Sequence, residues 1–405
     1  MIAIVNGKVL TITQGSFDPG TVLIEGGKIV AVGEHVEIPE DAEIYDAAGR
    51  WVLPGFVEAH CHTALFADGV NGVEMDGNEM TDPITPQLRG IDALHPEDIA
   101  FEDIVKSGVT TINTGPGSAN LVGGQWVCVK TAPKATVEEM VLLEPAGMKM
   151  AMGENPKRVY GSQNKMPSTR MGNAAVLRSA FVETQNYLNK WKRYEKELVD
   201  YKAKVEAGEK DAKEPAAPER NLKWEALGKV LTGELRARLH AHRADDMLTA
   251  IRIADEFGFK LTFEHATEGY KIADVLAKRG IPVTVGPILL DRPKYEMRGL
   301  DPRNPGILSK AGVKVAIQTD SSSAVKYLAM NAALAVREGM DIDEALKAIT
   351  INAAEIIGVE DRVGSLEPGK DADVVVYTEH PFSYMSVPEL VLIDGQVVYQ
   401  RQKGE

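Results

Sequence analysis

The chain has 405 residues and only two cysteines, Cys61 and Cys128, so no disulfide framework staples it. Basic charge is not in excess either. The 45 Lys and Arg residues face 59 Asp and Glu, for a net charge of -14, which argues against a nucleic-acid backbone or an anionic membrane surface as partner. No apolar run approaches the ~18 residues of a membrane span. The opening "MIAIVNGKVLTI" has neither the basic n-region nor the long apolar core and small-residue cleavage site of a secretory leader. The cytoplasm is the compartment expected from these features. Histidine is scarce too, eight in all, and the argument turns on where those eight fall.

Composition is otherwise that of a globular protein, 44% hydrophobic and 26% charged, ample for a large core with a smaller satellite. Residues 1–53 alternate short β-type runs with Gly and Asn turns, and residues 364–405 repeat the pattern around Pro-Gly and Asp-Gly. Neither end has enough apolar surface to stand alone, so the two are expected to form one small composite sheet domain. From 54 to 363, eight short apolar runs are separated mostly by helical patterns, the βα alternation of a parallel sheet that closes at eight strands. The expected fold is therefore α/β: a (β/α)8 TIM barrel with a small β-sandwich domain formed from both chain termini. A charged helical stretch around 176–228, broken by "EAGEKDAKEPAAPER", is expected as an insertion. It would serve as a lid or an oligomer contact, and 206–220 offers no apolar periodicity to bury.

In such a barrel the C-terminal strand ends carry the chemistry. "VLPGFVEAHCH" ends its run in His60 and His62, which alternate along a strand and so point the same way. "RARLHAH" ends in His240 and His242, "KLTFEHA" in His265, and "VKVAIQTD" in Asp320. Five of the eight histidines thus meet at one mouth. Imidazole and carboxylate gathered in this way suit a borderline divalent metal such as zinc. In "AGMKMAMG", Lys149 sits inside an apolar strand, where burial drives an ammonium toward its neutral amine. The loops over the mouth add Arg158, Tyr160, Arg170, Arg243 and Arg292, some of which could grip a substrate carboxylate.

The order "PGFVEAHCH", "HAH", "FEHA", "QTD" and "GSLEPGKDADVVV" resembles the amidohydrolase superfamily across essentially the whole chain. That resemblance implies a metal-dependent barrel enzyme hydrolysing a C–N bond of a small amide, dipeptide-like or cyclic amide substrate through a metal-activated water. It implies His60, His62, His240, His265 and Asp320 as metal ligands, with Asp320 also moving the proton, and His242 lining the same mouth. The choice between His240 and His242 stays open. It further implies that Lys149 is carboxylated and bridges two ions, as in the carboxylated-lysine branch. A mononuclear enzyme like imidazolonepropionase or a ring deaminase is the alternative, and a catalytically silent scaffold is a third. Zinc, one or two ions per chain, is the expected cofactor, and a homo-oligomer the expected assembly.

Overall fold

The structure is a computed structural model that describes residues 1–68, 75–289 and 291–402. Strands β1 (Ile2–Leu10), β2 (Ser16–Glu25), β3 (Lys28–Gly33), β4 (Glu43–Asp46) and β5 (Trp51–Pro54) open the chain. The barrel strands follow: β6 (Phe56–Cys61), β7 (Val109–Thr114), β8 (Val122–Lys130), β9 (Val141–Ala151), β10 (Ala237–Ala241), β11 (Leu261–His265), β12 (Val283–Val285) and β13 (Val315–Ile317). After the last barrel helices come β14 (Val374–Tyr377), β15 (Pro388–Ile393) and β16 (Gln396–Gln400).

The terminal strands form one sheet in the order β16-β15-β14-β5-β1-β2-β3, with β4 beside β1. It is a single hydrogen-bonded sheet that curls on itself, so that its two ends face each other across a shared core. Gly27, at the turn before β3, lies against Asp394 after β15, so close that a Cβ there would stand 2.9 Å from the Asp394 carbonyl oxygen. Ile4, Val22, Ile29, Val52, Val374 and Leu392 share the core inside the curl. Strand β5 pairs with β14 and runs through Gly55 directly into β6. The sheet is thus tied to the barrel from both chain ends.

The second sheet runs β13-β12-β11-β10-β9-β8-β7-β6. Its seam between β6 and β13 is drawn together by Asp320 N donating to His60 O (3.2 Å) and His62 N donating to Ser321 O (3.1 Å). The buried Glu58 carboxylate stitches the same seam, accepting from His60 N (3.0 Å), Thr319 N (2.9 Å) and Thr319 Oγ1 (2.7 Å). All six residues of β6 are buried, as expected of a strand covered on both faces.

One strand departs from the expected alternation. β8 is antiparallel to both β7 and β9, making an up-down-up meander in place of two βα units. The connections 115–121 and 131–140 are too short for the dozen or more residues of a parallel crossover. β8 therefore points its end, Lys130, away from the mouth and toward the terminal sheet. There Lys130 Nζ meets Asp373 Oδ2 at 2.7 Å and Asp371 Oδ2 at 3.0 Å.

The insertion is a 37-residue helix, Arg170–Glu206, with a return segment and a second helix, Leu222–Thr232. Thr169 caps the long helix by accepting from Gly172 N at 3.0 Å. Its first half buries Leu177, Phe181 and Tyr187, and Phe181 stacks on Phe257 and Phe259 at 5.1 and 4.8 Å. The second half reaches outward with Trp191, Tyr194, Leu198 and Tyr201 half-buried at heptad spacing. In the return segment Ala212, Pro215 and Pro218 are half-buried at every third residue. That is the period of an extended polyproline-type strand, so the segment is less featureless than its charge suggested. No described helix is long and apolar enough to cross a membrane.

Candidate metal centre

The strand ends bring the histidines together. Ring centroids of His60 and His265 are 5.2 Å apart, His240 and His265 4.4 Å, His240 and His242 4.6 Å, and His60 and His62 5.3 Å. Asp320 Oδ1 faces His60 Nε2 at 3.2 Å, His62 Nε2 at 3.3 Å and His265 Nε2 at 3.8 Å. Two sets of groups lie within 4.8 Å of one another: His240 with His242 and His265, and His60 with His265 and Asp320. His265 and Asp320 both hold positive φ, 71° and 49°. For non-glycine residues this is uncommon and concentrates at functional sites.

The backs of the rings set which nitrogen looks inward. His60 Nδ1 is 2.8 Å from Glu264 Oε2, His62 Nδ1 is 2.8 Å from Gly115 O, and His265 Nδ1 is 2.9 Å from Gly286 O. The carboxylate and the two carbonyls can only accept, which assigns the proton to Nδ1 and turns Nε2 to the centre; at His265 the Gln318 Nε2 also lies 3.0 Å from Nδ1. Three ring nitrogens so assigned then converge on one carboxylate oxygen, a grouping that could share a divalent cation. His240 Nδ1 and His265 Nε2 are also buried without a hydrogen-bond partner among the described residues. His242 differs: its Nδ1 meets Thr267 Oγ1 at 2.7 Å, and its Nε2 lies 3.3 Å from Lys294 Nζ. The donor set fits a divalent metal, and the unpartnered nitrogen of the strand-β10 pair is on His240.

Behind the rings lies a layer of buried charge. Glu264 also accepts from Thr262 Oγ1 (3.0 Å) and from Arg238 Nη1 (3.3 Å). The Arg238 guanidinium is completed by Ala146 O and Ile356 O at 3.1 and 2.9 Å. Gly147 makes this possible, because a Cβ there would stand 2.5 Å from Arg238 Nε. Gly115 plays the same part on the other side, lying against the Trp126 indole, 2.3 Å from where its Cβ would be, so that its carbonyl can reach His62. Burial would raise the Glu264 carboxyl, but His60 and Arg238 outweigh it and hold it down at about 2. Burial lowers His265 to about 3 and holds His240 and His242 well below the usual imidazole range, in the neutral form a metal requires. Burial also raises Glu58 to about 8.

Lys149 lies inside the barrel beside this cluster, its Nζ 3.2 Å from His60 Nε2 and 4.8 Å from the centroid of the Trp126 ring. Burial lowers its ammonium to about 8 against the opposing pull of Asp320 and Glu264. The mouth opens to solvent over Asp320, which is 29% exposed, and over Lys294 at 25%. Outside the histidines, Tyr160 is buried with its hydroxyl on Asn120 Oδ1, and Arg170 is paired with Asp246 at 2.9 Å. Arg243 is paired with Asp245 at 2.7 Å, Arg292 donates to Leu300 O, and Arg158 is exposed. A cleft of about 680 Å³ lies between the helix Leu328–Arg337 and the terminal sheet. No histidine lines it. Glu58, Glu264, Arg238, Lys294 and Glu296 are additions that the sequence reading had not singled out.

The amidohydrolase family model matches residues 51–398. A solved structure described as an amidohydrolase from Thermotoga maritima MSB8 is 46% identical, covers 99% of this chain and 100% of its own, and superposes with a TM-score of 0.89. The amidohydrolase tasK of Hapsidospora irregularis is 32% identical over 93% of this chain, and the match spans 39% of that relative's length. An imidazolonepropionase of Maricaulis maris is 24% identical over 90% of this chain and 88% of its own. The chain belongs to the amidohydrolase family and is an enzyme acting on carbon–nitrogen bonds.

Proposed function

We propose that this enzyme hydrolyses an amide C–N bond of a small molecule, with His60, His62, His240, His265 and Asp320 holding a divalent metal, zinc by preference. The carrying observation is the convergence of His60, His62 and His265 Nε2 on Asp320 Oδ1, at 3.2, 3.3 and 3.8 Å. When bound, such an ion lowers the pKa of water from 15.7 toward ~7 and polarises a carbonyl. The remaining steps belong to the chain. Asp320, at the open side of the cluster, takes the proton of the attacking water as oxygen adds to the carbonyl carbon. As the C–N bond breaks, Asp320 returns that proton to the leaving nitrogen. The histidines keep the carboxylate in place.

Lys149 extends this reading to two ions. With its ammonium lowered by burial to about 8, Lys149 reaches the neutral amine, the form that adds carbon dioxide, more readily than an exposed lysine. The carbamate would supply an anionic oxygen donor beside His60. A mononuclear reading, with Lys149 an amine, draws its support from the likeness to imidazolonepropionase along 90% of the chain. The test is metal analysis combined with turnover. Asp320→Asn is expected to lower kcat by at least about two orders of magnitude, the size of a general-base contribution, and unchanged kcat removes Asp320 from the mechanism. Lys149→Met is expected to drop the metal content from two ions per chain to one. A wild-type stoichiometry of one that the substitution leaves unaltered decides for the mononuclear form.

A further inference from the structure

Two side chains at the mouth have no task in that scheme. Glu296, in the loop after β12, is fully buried. Its Oε2 accepts from Glu154 N at 2.7 Å while Glu154 Oε2 accepts from Glu296 N at 3.2 Å, a reciprocal clasp between the loops that follow β9 and β12. Gly153 leaves room for the clasp, since a Cβ there would sit 2.6 Å from Glu296 Oε2. The other oxygen, Oε1, is buried with no hydrogen-bond partner among the described residues. It faces Lys294 Nζ at 3.7 Å, His242 Nε2 at 3.8 Å and His240 Nε2 at 4.0 Å. Lys294 in turn has Asn155 Oδ1 at 3.4 Å and His242 Nε2 at 3.3 Å, and among the described residues no carboxylate nearer than Glu296. Arg170 and Arg243, by contrast, are already satisfied by aspartates.

A buried acceptor without a hydrogen-bond donor is costly, and the Lys294 ammonium faces Glu296 only at 3.7 Å, beyond hydrogen-bond reach. Both groups are satisfied if the occupant of the mouth brings a donor and an anion side by side. We propose that Glu296 and Lys294 form a recognition pair for the amino-acid end of the substrate, Glu296 Oε1 accepting from the scissile amide N–H and Lys294 donating to the α-carboxylate. The substrate class is then an N-acyl α-amino acid, dipeptides included. In such molecules one carbon separates the N–H from the carboxylate, which suits two receptor groups 3.7 Å apart. A neutral cyclic amide would meet Glu296 and leave Lys294 without its anion. The assignment rests on the reading that this mouth hydrolyses an amide, and it adds which amide.

The experiment compares holoenzyme turnover of the N-acetyl derivatives of alanine, leucine, phenylalanine, glutamate and arginine with their carboxamide counterparts. Wild type is expected to favour the acids. Lys294→Met is expected to lower kcat/KM for the acids by roughly 10- to 100-fold more than for the amides, the worth of a charged hydrogen bond, chiefly through KM and with metal content unchanged. Glu296→Gln keeps an oxygen for Glu154 N but turns an NH2 toward the substrate N–H, and is expected to weaken acids and amides alike. Calorimetric binding of N-methanesulfonyl-leucine and its primary amide gives a readout independent of turnover, with the acid bound and weakened by Lys294→Met. Equal preference for acids and amides in wild type, or sulfonyl-acid binding indifferent to Lys294→Met, overturns the pair. Asp320-dependent turnover confined to neutral cyclic amides overturns it too, while leaving the hydrolase reading intact. Lys294-dependent binding of the sulfonyl acid with no turnover of any amide supports the pair and sinks the hydrolase reading instead.

Discussion

His60 is oriented by Glu264, and Glu264 is oriented by Arg238, so a ring at the centre depends on a guanidinium fully buried behind it. Glu264→Gln preserves the shape but removes the anion that fixes the His60 proton on Nδ1. Metal affinity, read by competition with a chelator, is expected to fall by about 10- to 100-fold, the usual effect of losing a group that orients a ligand. An affinity equal to wild type would show that Glu264 only fills space. The histidines were legible because alternation along a strand is a strict rule and five of eight fall at strand ends. Glu58, Arg238 and Glu264 left a visible signal as well, each a charge inside an apolar run that must find a partner once buried. Lys294 and Glu296 left none. They sit in a loop without periodicity, and only the tertiary contact with Glu154 and Asn155 gives them meaning.

At the scale of elements, strand positions were readable and strand direction was not, since apolar runs look alike in either sense. The clue for β8 was the length of 115–121, too short for a crossover. Reversal of β8 is what places Lys130 against the terminal sheet, where Asp371 also binds Lys28 Nζ at 2.6 Å and Arg362 Nη2 at 2.7 Å. Burial would raise the Asp371 carboxyl, yet Arg362, Lys130 and Lys28 hold it at about 2, below its ordinary 3.8. A carboxyl lowered on folding stabilises the fold fully above its unfolded pKa and loses that contribution as pH falls through the folded value. Asp371→Asn is therefore expected to melt below wild type at pH 7, with the difference closing between about pH 4 and pH 2. A gap in melting temperature that stays constant across that range would deny the ion cluster its role.

The whole molecule is one chain threaded out of a curled sheet, around a barrel and back into the same sheet, with the seam of the barrel at the metal centre. Its two halves are unequal in the span of sequence their pairings enclose. Strands β7, β8 and β9 find one another across 115–121 and 131–140, whereas β9 meets β10 only after the whole of 152–236 has been laid down. Pairings that close short loops form sooner than those that close long ones. The meander that interrupts the barrel is thus expected to act as a clock as well as a shape, forming ahead of the parallel pairs that flank it. Amides of Val127 and Val129 are expected to gain protection from hydrogen exchange early in refolding, ahead of those of Leu239 and Phe263 in the parallel strands. Pulse labelling that finds all four protected together would mean that the barrel closes in a single event.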